Sequence, residues 1–481
     1  MPPEELLLDH PPDGLARAAE EHTDRRAVVF QDRSLNYREL EKQVIDFCNR
    51  LSQWGAGSVL GVDAANPWLV LCALHATARL GRALLPLELG ISRSRQHSLI
   101  RQSGCSLVIG ADSPADQPKD IPWIASESLL HEGASATGQI SASVSISHDP
   151  DTILLIIPTS GTTGKPKGVM LSRRNLVASA SQVNRELALK PGDCWLDCLP
   201  LSHIAGLSII YRCVLAGATL VLHQGFDAKQ VWLDLERQRI THLSLVPAML
   251  KRLLEVAGGR HPPESLAVAL IGGASLDTSL AREAHDAGWP LVISYGMSET
   301  GSMCAVDKGS EAGLRASRVG CPLQGFHIEL SESNKGRLRV AGDAVMSGYA
   351  NPQLTPGDGL DNGWFETGDL AYWDDENALC ISGRMDELLN SGGRRIHPRE
   401  VEELLEVCPG LSGVAVASRH DPVWGDYLVA IYTGEMEEPS LESWSRAHLP
   451  SGLRPRTFKR VDVLPINRMG KLDRQALKQF V

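Results

Sequence analysis

The chain has 481 residues, 47 of them basic and 58 acidic, for a formal net charge of −11 at pH 7. That balance excludes the broad basic face with which a protein grips nucleic acid, so any anionic ligand must be held by a few local groups. A composition of 43% hydrophobic and 22% charged residues fits a soluble globular protein. A chain this long needs two or more lobes rather than one core.

Read from the N-terminus, MPPEELLLDHPPDG is acidic and Pro-rich and lacks the basic start and apolar stretch of a signal peptide. Residues 14–55 read as a helix, a short strand pair and a second helix. WLVLCALHATARLGRALLPL (68–87) reads as a buried helix running into a strand. The stretch 111–150, rich in Ser, Ala, Gly, Asp and Pro, is expected to wrap the surface. Strands then alternate with helices: TILLIIP (152–158), TLVLHQ (219–224), THLSLVP (241–247), LAVALIGG (266–273) and PLVISYG (290–296). The fold class expected is therefore α/β, with mostly parallel, helix-covered sheets whose ligands gather at the strand carboxyl ends. After about residue 320 short strands and turns indicate a small β-rich subdomain, and the last hundred residues a small α+β domain. We set the boundary near Arg384–Asp386, giving domains 1–383 and 384–481.

No segment approaches the ~20 apolar residues of a membrane span. The ten cysteines, from Cys48 to Cys408, contain no CxxC pair. Cys194, Cys198 and His203 lack a fourth ligand and ordinary zinc spacing, so buried free thiols are expected. Such thiols suit a reducing cytoplasm, the expected location.

The most informative segment is IIPTSGTTGKPKGVMLSRRNL (156–176). A buried strand runs into Thr159, Ser160, Gly161, Thr162, Thr163, Gly164, Lys165, Pro166 and Lys167. Glycines let backbone N–H groups turn toward an anion, while hydroxyls and ammonium groups add donors and charge; a polyphosphate is the natural guest. The common P-loop is excluded, because Pro166 follows the lysine and the glycine spacing is shorter.

TSGTTGKPKG resembles the signature of the adenylate-forming superfamily of acyl-CoA synthetases, peptide-synthetase adenylation domains and luciferases. Further signatures follow in order: LPLSHIAG (199–206), GGASL (272–276), SYGMSET (294–300), GWFETGDL (363–370), GRMDE (383–387), SGGRRIHPREVE (391–402) and NRMGKLDRQAL (467–477). The resemblance implies ATP, Mg²⁺ and coenzyme A as ligands, and a small domain that rotates between two half-reactions.

It also implies roles, residue by residue. Lys471 matches the catalytic lysine that bridges the acid and the α-phosphate. Ser294, Tyr295, Gly296, Met297 and Ser298 contact the nucleotide, with Tyr295 stacked on adenine; Thr300 donates to phosphate and Glu299 helps hold Mg²⁺. Gly272, Gly273 and Ala274 approach adenine, and Asp369 and Arg384 contact the ribose. Asp386 matches the hinge, and Gly392 and Gly393 the thiol's tunnel. Arg394 and Arg395 depart from the frequent pattern of an acidic residue and asparagine. They are either a solvated charge pair or a contact to a phosphate of coenzyme A.

The segment 199–227 resembles the 2-succinylbenzoate–CoA ligases, the menaquinone branch of the superfamily. His203 matches a gate beside the acyl pocket, and Ser208 and Arg212 are assigned with it to the acid. Arg212 lies in an otherwise apolar helical run, where a charge is costly unless paired. Its partner is either a structural carboxylate or a second carboxylate on the substrate. The alternatives are an aryl- or fatty acyl-CoA ligase for a monocarboxylic acid, and a stand-alone amino-acid adenylating enzyme; oligomeric state is left open.

Overall fold

Strands such as Thr219–Leu222, His242–Leu245 and Val268–Ile271 are buried along their whole length, as strands covered on both faces must be. They belong to a 13-stranded sheet in a computed structural model. The structure describes residues 14–55, 57–88, 93–111, 121–130, 149–159, 167–309, 317–391, 394–421, 425–466 and 472–481. The centre of the sheet is parallel, in the order Leu291–Met297, Val268–Ile271, His242–Leu245, Cys194–Asp197, Thr219–Leu222 and Arg26–Phe30. After Cys194–Asp197 the chain adds one strand on one side and then continues on the other. Such a reversal of strand order is where α/β sheets bind ligands, at the carboxyl ends of the strands.

Beyond Leu291–Met297 the same sheet continues antiparallel through Ser302–Asp307, Arg318–Pro322, Leu379–Arg384, Phe365–Trp373, Lys335–Ala341 and His327–Leu330. The β-rich stretch is thus joined edge-on to the parallel strands. A second, seven-stranded sheet carries Ile153–Thr159 and Lys167–Ser172 as an antiparallel pair. Residues 112–120 and 131–148 lie outside the described residues. Residues 121–130, expected to wrap the surface, instead supply an edge strand, Trp123–Ala125, on Cys105–Gly110, where Ile124 finds burial.

After Arg384 a short turn, Met385–Glu387, leads to the Pro398–Glu406 helix and a three-stranded sheet of Leu411–Asp421, Gly425–Gly434 and Thr457–Arg460. This region packs its own core around Val401, Leu405, Val416 and Tyr432. Among the described residues no helix is long and apolar enough to cross a membrane. Nine cysteines are buried free thiols; Cys321 departs from that expectation and is exposed, near the end of a strand whose burial pattern turns outward there.

Candidate active site

Three of the segments singled out by sequence lie just beyond strand carboxyl ends. Asp197 precedes LPLSHIAG, Ile271 precedes Gly272 and Gly273, and Met297 precedes the Ser298–Thr300 turn. Gly272 has little room: an added Cβ would lie 2.7 Å from Ser294 Oγ, which itself donates to the Ile271 carbonyl at 3.0 Å. Gly273 is exposed with φ of 78°, and Ala274 is half-buried beside it. At Gly296 an added Cβ would fall 2.0 Å from the Ser302 carbonyl oxygen, so only glycine lets the two strands approach.

Asp369 and Arg384 are direct cross-strand partners, which explains their pairing. Arg384 Nη1 donates to Asp369 Oδ1 at 3.2 Å and to the Thr367 carbonyl at 2.9 Å. The Tyr295 hydroxyl donates to the other Asp369 oxygen. Burial pushes the Asp369 carboxyl up, and the Tyr295 and Arg384 bonds oppose that shift. Tyr295, assigned to adenine, and Asp369 and Arg384, assigned to the ribose, therefore form one hydrogen-bonded group.

Thr159 and Lys167 face each other across the mouth of the glycine-rich loop, where Thr159 Oγ1 donates to the Lys167 carbonyl at 3.3 Å. Ser160, Gly161, Thr162, Thr163, Gly164 and Lys165 lie outside the described residues. Lys167 Nζ sits 4.2 Å from the centroid of the Tyr349 ring, and the Tyr349 hydroxyl donates to Glu299 Oε1 at 3.1 Å. Burial pushes the Glu299 carboxyl up, and its hydrogen bonds and the Arg384 and Lys167 charges pull against that. A single hard carboxylate, linked through Tyr349 to Lys167, would fit a magnesium ion carried on a nucleotide rather than an all-protein cage. Thr300 is fully buried, with Oγ1 2.6 Å from the Ser302 carbonyl and accepting from Met297 N–H at 3.0 Å. Its hydroxyl closes the turn that carries Ser298 and Glu299.

In the segment assigned to the acid by resemblance, the Ile204–Ala216 helix starts at His203, whose backbone is extended, and stops at Gly217 with φ of 65°. His203 is half-buried at the helix mouth. Ser208 is buried and donates to the Ala205 carbonyl at 3.2 Å. Arg212 is 2% exposed; it donates to the Ser302 hydroxyl, and its Nε–H has no partner among the described residues. No described carboxylate lies within ion-pair distance of it, and the carboxylate whose field reaches it is the buried Asp197. Burial lowers its pKa to about 10, which leaves it charged at neutral pH.

Asp386 is exposed and accepts from Arg384 Nε at 3.1 Å. Gly392, Gly393 and Lys471 lie outside the described residues, and of Arg394 and Arg395 only the backbone is described, in a hairpin with Leu389–Ser391. Of the residues flanking that segment in sequence, Ile466 bridges Leu472, and Arg474 grips Glu402 at 2.6 and 3.0 Å and Glu387 at 3.5 Å. Tyr349, Ser302, Arg474 and Glu402 escaped the sequence reading. Arg474 and Glu402 offered a signal there, since each lies inside a signature segment, NRMGKLDRQAL and SGGRRIHPREVE.

The AMP-binding enzyme profile matches residues 15–350, and that of the AMP-binding enzyme C-terminal domain matches residues 400–471. The chain belongs to the AMP-binding enzyme family. Among its relatives is the 2-succinylbenzoate–CoA ligase of Bacillus licheniformis, 33% identical over 485 residues, with 98% of this chain and 100% of the relative covered. The O-succinylbenzoate coenzyme A synthetase of Bacillus subtilis, solved with ATP and a magnesium ion, has a TM-score of 0.85 at 28% identity, covering 98% of this chain and 99% of that one. A double mutant of the same enzyme bound to a product analogue has a TM-score of 0.72 at 29% identity, covering 98% of each chain.

Proposed function

We infer that this enzyme is an AMP-forming acid–coenzyme A ligase, and we propose that its acid is 2-succinylbenzoate. Full-length similarity to ligases of that name supports the reading. The observation that carries it is Arg212, a fully buried guanidinium at the acid side that meets no protein carboxylate among the described residues. A substrate with a second carboxylate would supply the missing anion.

Activation brings a carboxylate to the α-phosphate of ATP, so charge growing on phosphorus oxygens and pyrophosphate must be offset. We assign that task to Lys471 with Lys165 and Lys167, and Glu299 to the magnesium ion that ATP carries. Tyr295, Asp369 and Arg384 would hold the nucleoside. Coenzyme A must then reach the acyl carbon, and we propose that residues 384–481 rotate about Asp386, withdrawing Lys471 and bringing Gly392 and Gly393 to the thiol. Such a ligase works in the cytoplasm, where ATP and coenzyme A are at hand.

The test is thioester formation over 2-succinylbenzoate, benzoates and fatty acids of increasing length, with pyrophosphate exchange over amino acids. A strong preference for 2-succinylbenzoate is expected. Equal or better use of a monocarboxylic acid would reduce the reading to a ligase for that acid. Exchange with an amino acid and no need for coenzyme A would replace it.

A further inference from the structure

Arg212 sits in the middle of the Ile204–Ala216 helix, flanked by Ile209, Ile210, Tyr211 and Cys213, all buried. A guanidinium removed from water is costly unless other groups stand in for its hydration. Asp197, the carboxylate whose field reaches it, is itself fully buried; burial pushes that carboxyl well up, and one of its oxygens has no partner. What Arg212 does have is the Ser302 hydroxyl and the face of Trp195, with its Cζ 5.2 Å from the ring centroid. A desolvated cation over an indole face is held by the ring quadrupole.

Trp195 is fully buried and its ring is fixed from two directions. Its Nε1–H donates to Ser244 Oγ at 3.1 Å, and the His242 ring stacks on it at 5.0 Å and 29°. The sheet register makes this stack, because His242 and Trp195 are Cα partners on neighbouring parallel strands. His242 is fixed in turn, with Nδ1 2.8 Å from Thr241 Oγ1 and Nε2 3.2 Å from the Leu187 carbonyl. The Arg212 guanidinium thus rests on an aromatic platform that cannot turn, with Nε unengaged.

We propose that Trp195 is a specificity-positioning residue, whose clamped ring holds the Arg212 guanidinium in the orientation that selects acids with a second carboxylate. The proposal rests on the 2-succinylbenzoate reading and deepens it. Trp195 acts through Arg212 and touches no reacting atom.

The experiment compares kcat/KM for 2-succinylbenzoate and for its monocarboxylic analogue 2-butyrylbenzoate in wild type, Trp195→Leu, Trp195→Phe, Ser244→Ala and Arg212→Gln. Trp195→Leu is expected to lower the ratio of dicarboxylic to monocarboxylic activity about ten-fold, chiefly through KM for the dicarboxylic acid. Trp195→Phe, which keeps a π face, should retain most of the ratio. Ser244→Ala leaves the ring in place but frees its anchor, and should lower the ratio about three-fold; it serves where Trp195→Leu fails to fold. Equal losses on both acids in folded Trp195→Leu, or an unchanged ratio in Ser244→Ala, overturn the proposal while leaving the acid assignment standing if Arg212→Gln abolishes the preference. A preference that survives Arg212→Gln overturns this proposal, because Arg212 then does not select the acid, whereas a wild type without the preference overturns the acid assignment itself.

Discussion

Two arginines lie buried at opposite ends of one strand, Ser302–Asp307, and the protein treats their charges differently. At the far end Arg318 donates to Asp307 at 2.9 Å, and approaches Asp374 at 2.9 Å and Glu376 at 2.8 Å. At the near end Arg212 has a serine hydroxyl and an indole face, and no carboxylate in contact among the described residues. The Arg318 cluster ties the Ser302–Asp307 strand to the turn between Phe365–Trp373 and Leu379–Arg384, away from the strand carboxyl ends. A cation neutralised within the fold secures a junction. One buried without a carboxylate in contact weakens the fold unless an anion joins it.

The contrast is broken most easily at Arg318. Arg318→Gln leaves Asp307 and Asp374 buried without their counter-ion, and is expected to lower unfolding free energy by roughly 3–5 kcal/mol. Urea unfolding measures that loss, and the ratio of activities on dicarboxylic and monocarboxylic acids should not move. A stable Arg318→Gln protein with altered selectivity would end the distinction between the two sites.

Arg212→Gln is expected to do the reverse. Losing hydrogen bonds to a charged group, worth ~1.5–3 kcal/mol, corresponds to roughly a ten- to hundred-fold fall in kcat/KM for 2-succinylbenzoate. The melting temperature should hold or rise, since an unneutralised buried charge is gone. A large drop in melting temperature with equal losses on both acids would make Arg212 structural.

The smallest effect concerns pH and sharpens the account of the platform. Burial depresses the His242 pKa below its ordinary 6.5, so the unfolded chain takes up the proton first as pH falls. The neutral ring's contribution to stability is present above that unfolded value and is lost as pH drops toward the folded one. His242→Gln should therefore flatten the fall in stability below pH 6.5 by at most about 1.4 kcal/mol per pH unit. An identical slope in wild type and variant would mean that His242 titrates alike folded and unfolded.

Much of this site was legible before any fold was known. Arg212 stood out because a charge interrupts an apolar helical run, and the loop 159–168 because glycines, hydroxyls and lysines cluster after a buried strand. Trp195, Ser244 and His242 did not stand out. Within strands buried on both faces they read as ordinary core, and only the register between neighbouring strands reveals a stack. Tyr349 was silent for a similar reason, since its two-residue strand gains meaning only by pairing with Lys167–Ser172. Thr300, assigned to phosphate by resemblance, is seen closing its own turn, a geometry that spacing does not contain.

The amino-acid sequence by itself determined the class of fold, the order of the elements and the identity of the groups available for chemistry. Periodicity, glycine placement and charge are local properties, and they survive being read in one dimension. Tertiary structure alone decided which of those groups face one another: Tyr295 with Asp369 and Arg384, Glu299 with Tyr349, Arg212 with Trp195. These meetings depend on strand order and register across gaps of 15 to 74 residues. A shift of one residue in register would separate such partners while leaving composition and motifs unchanged.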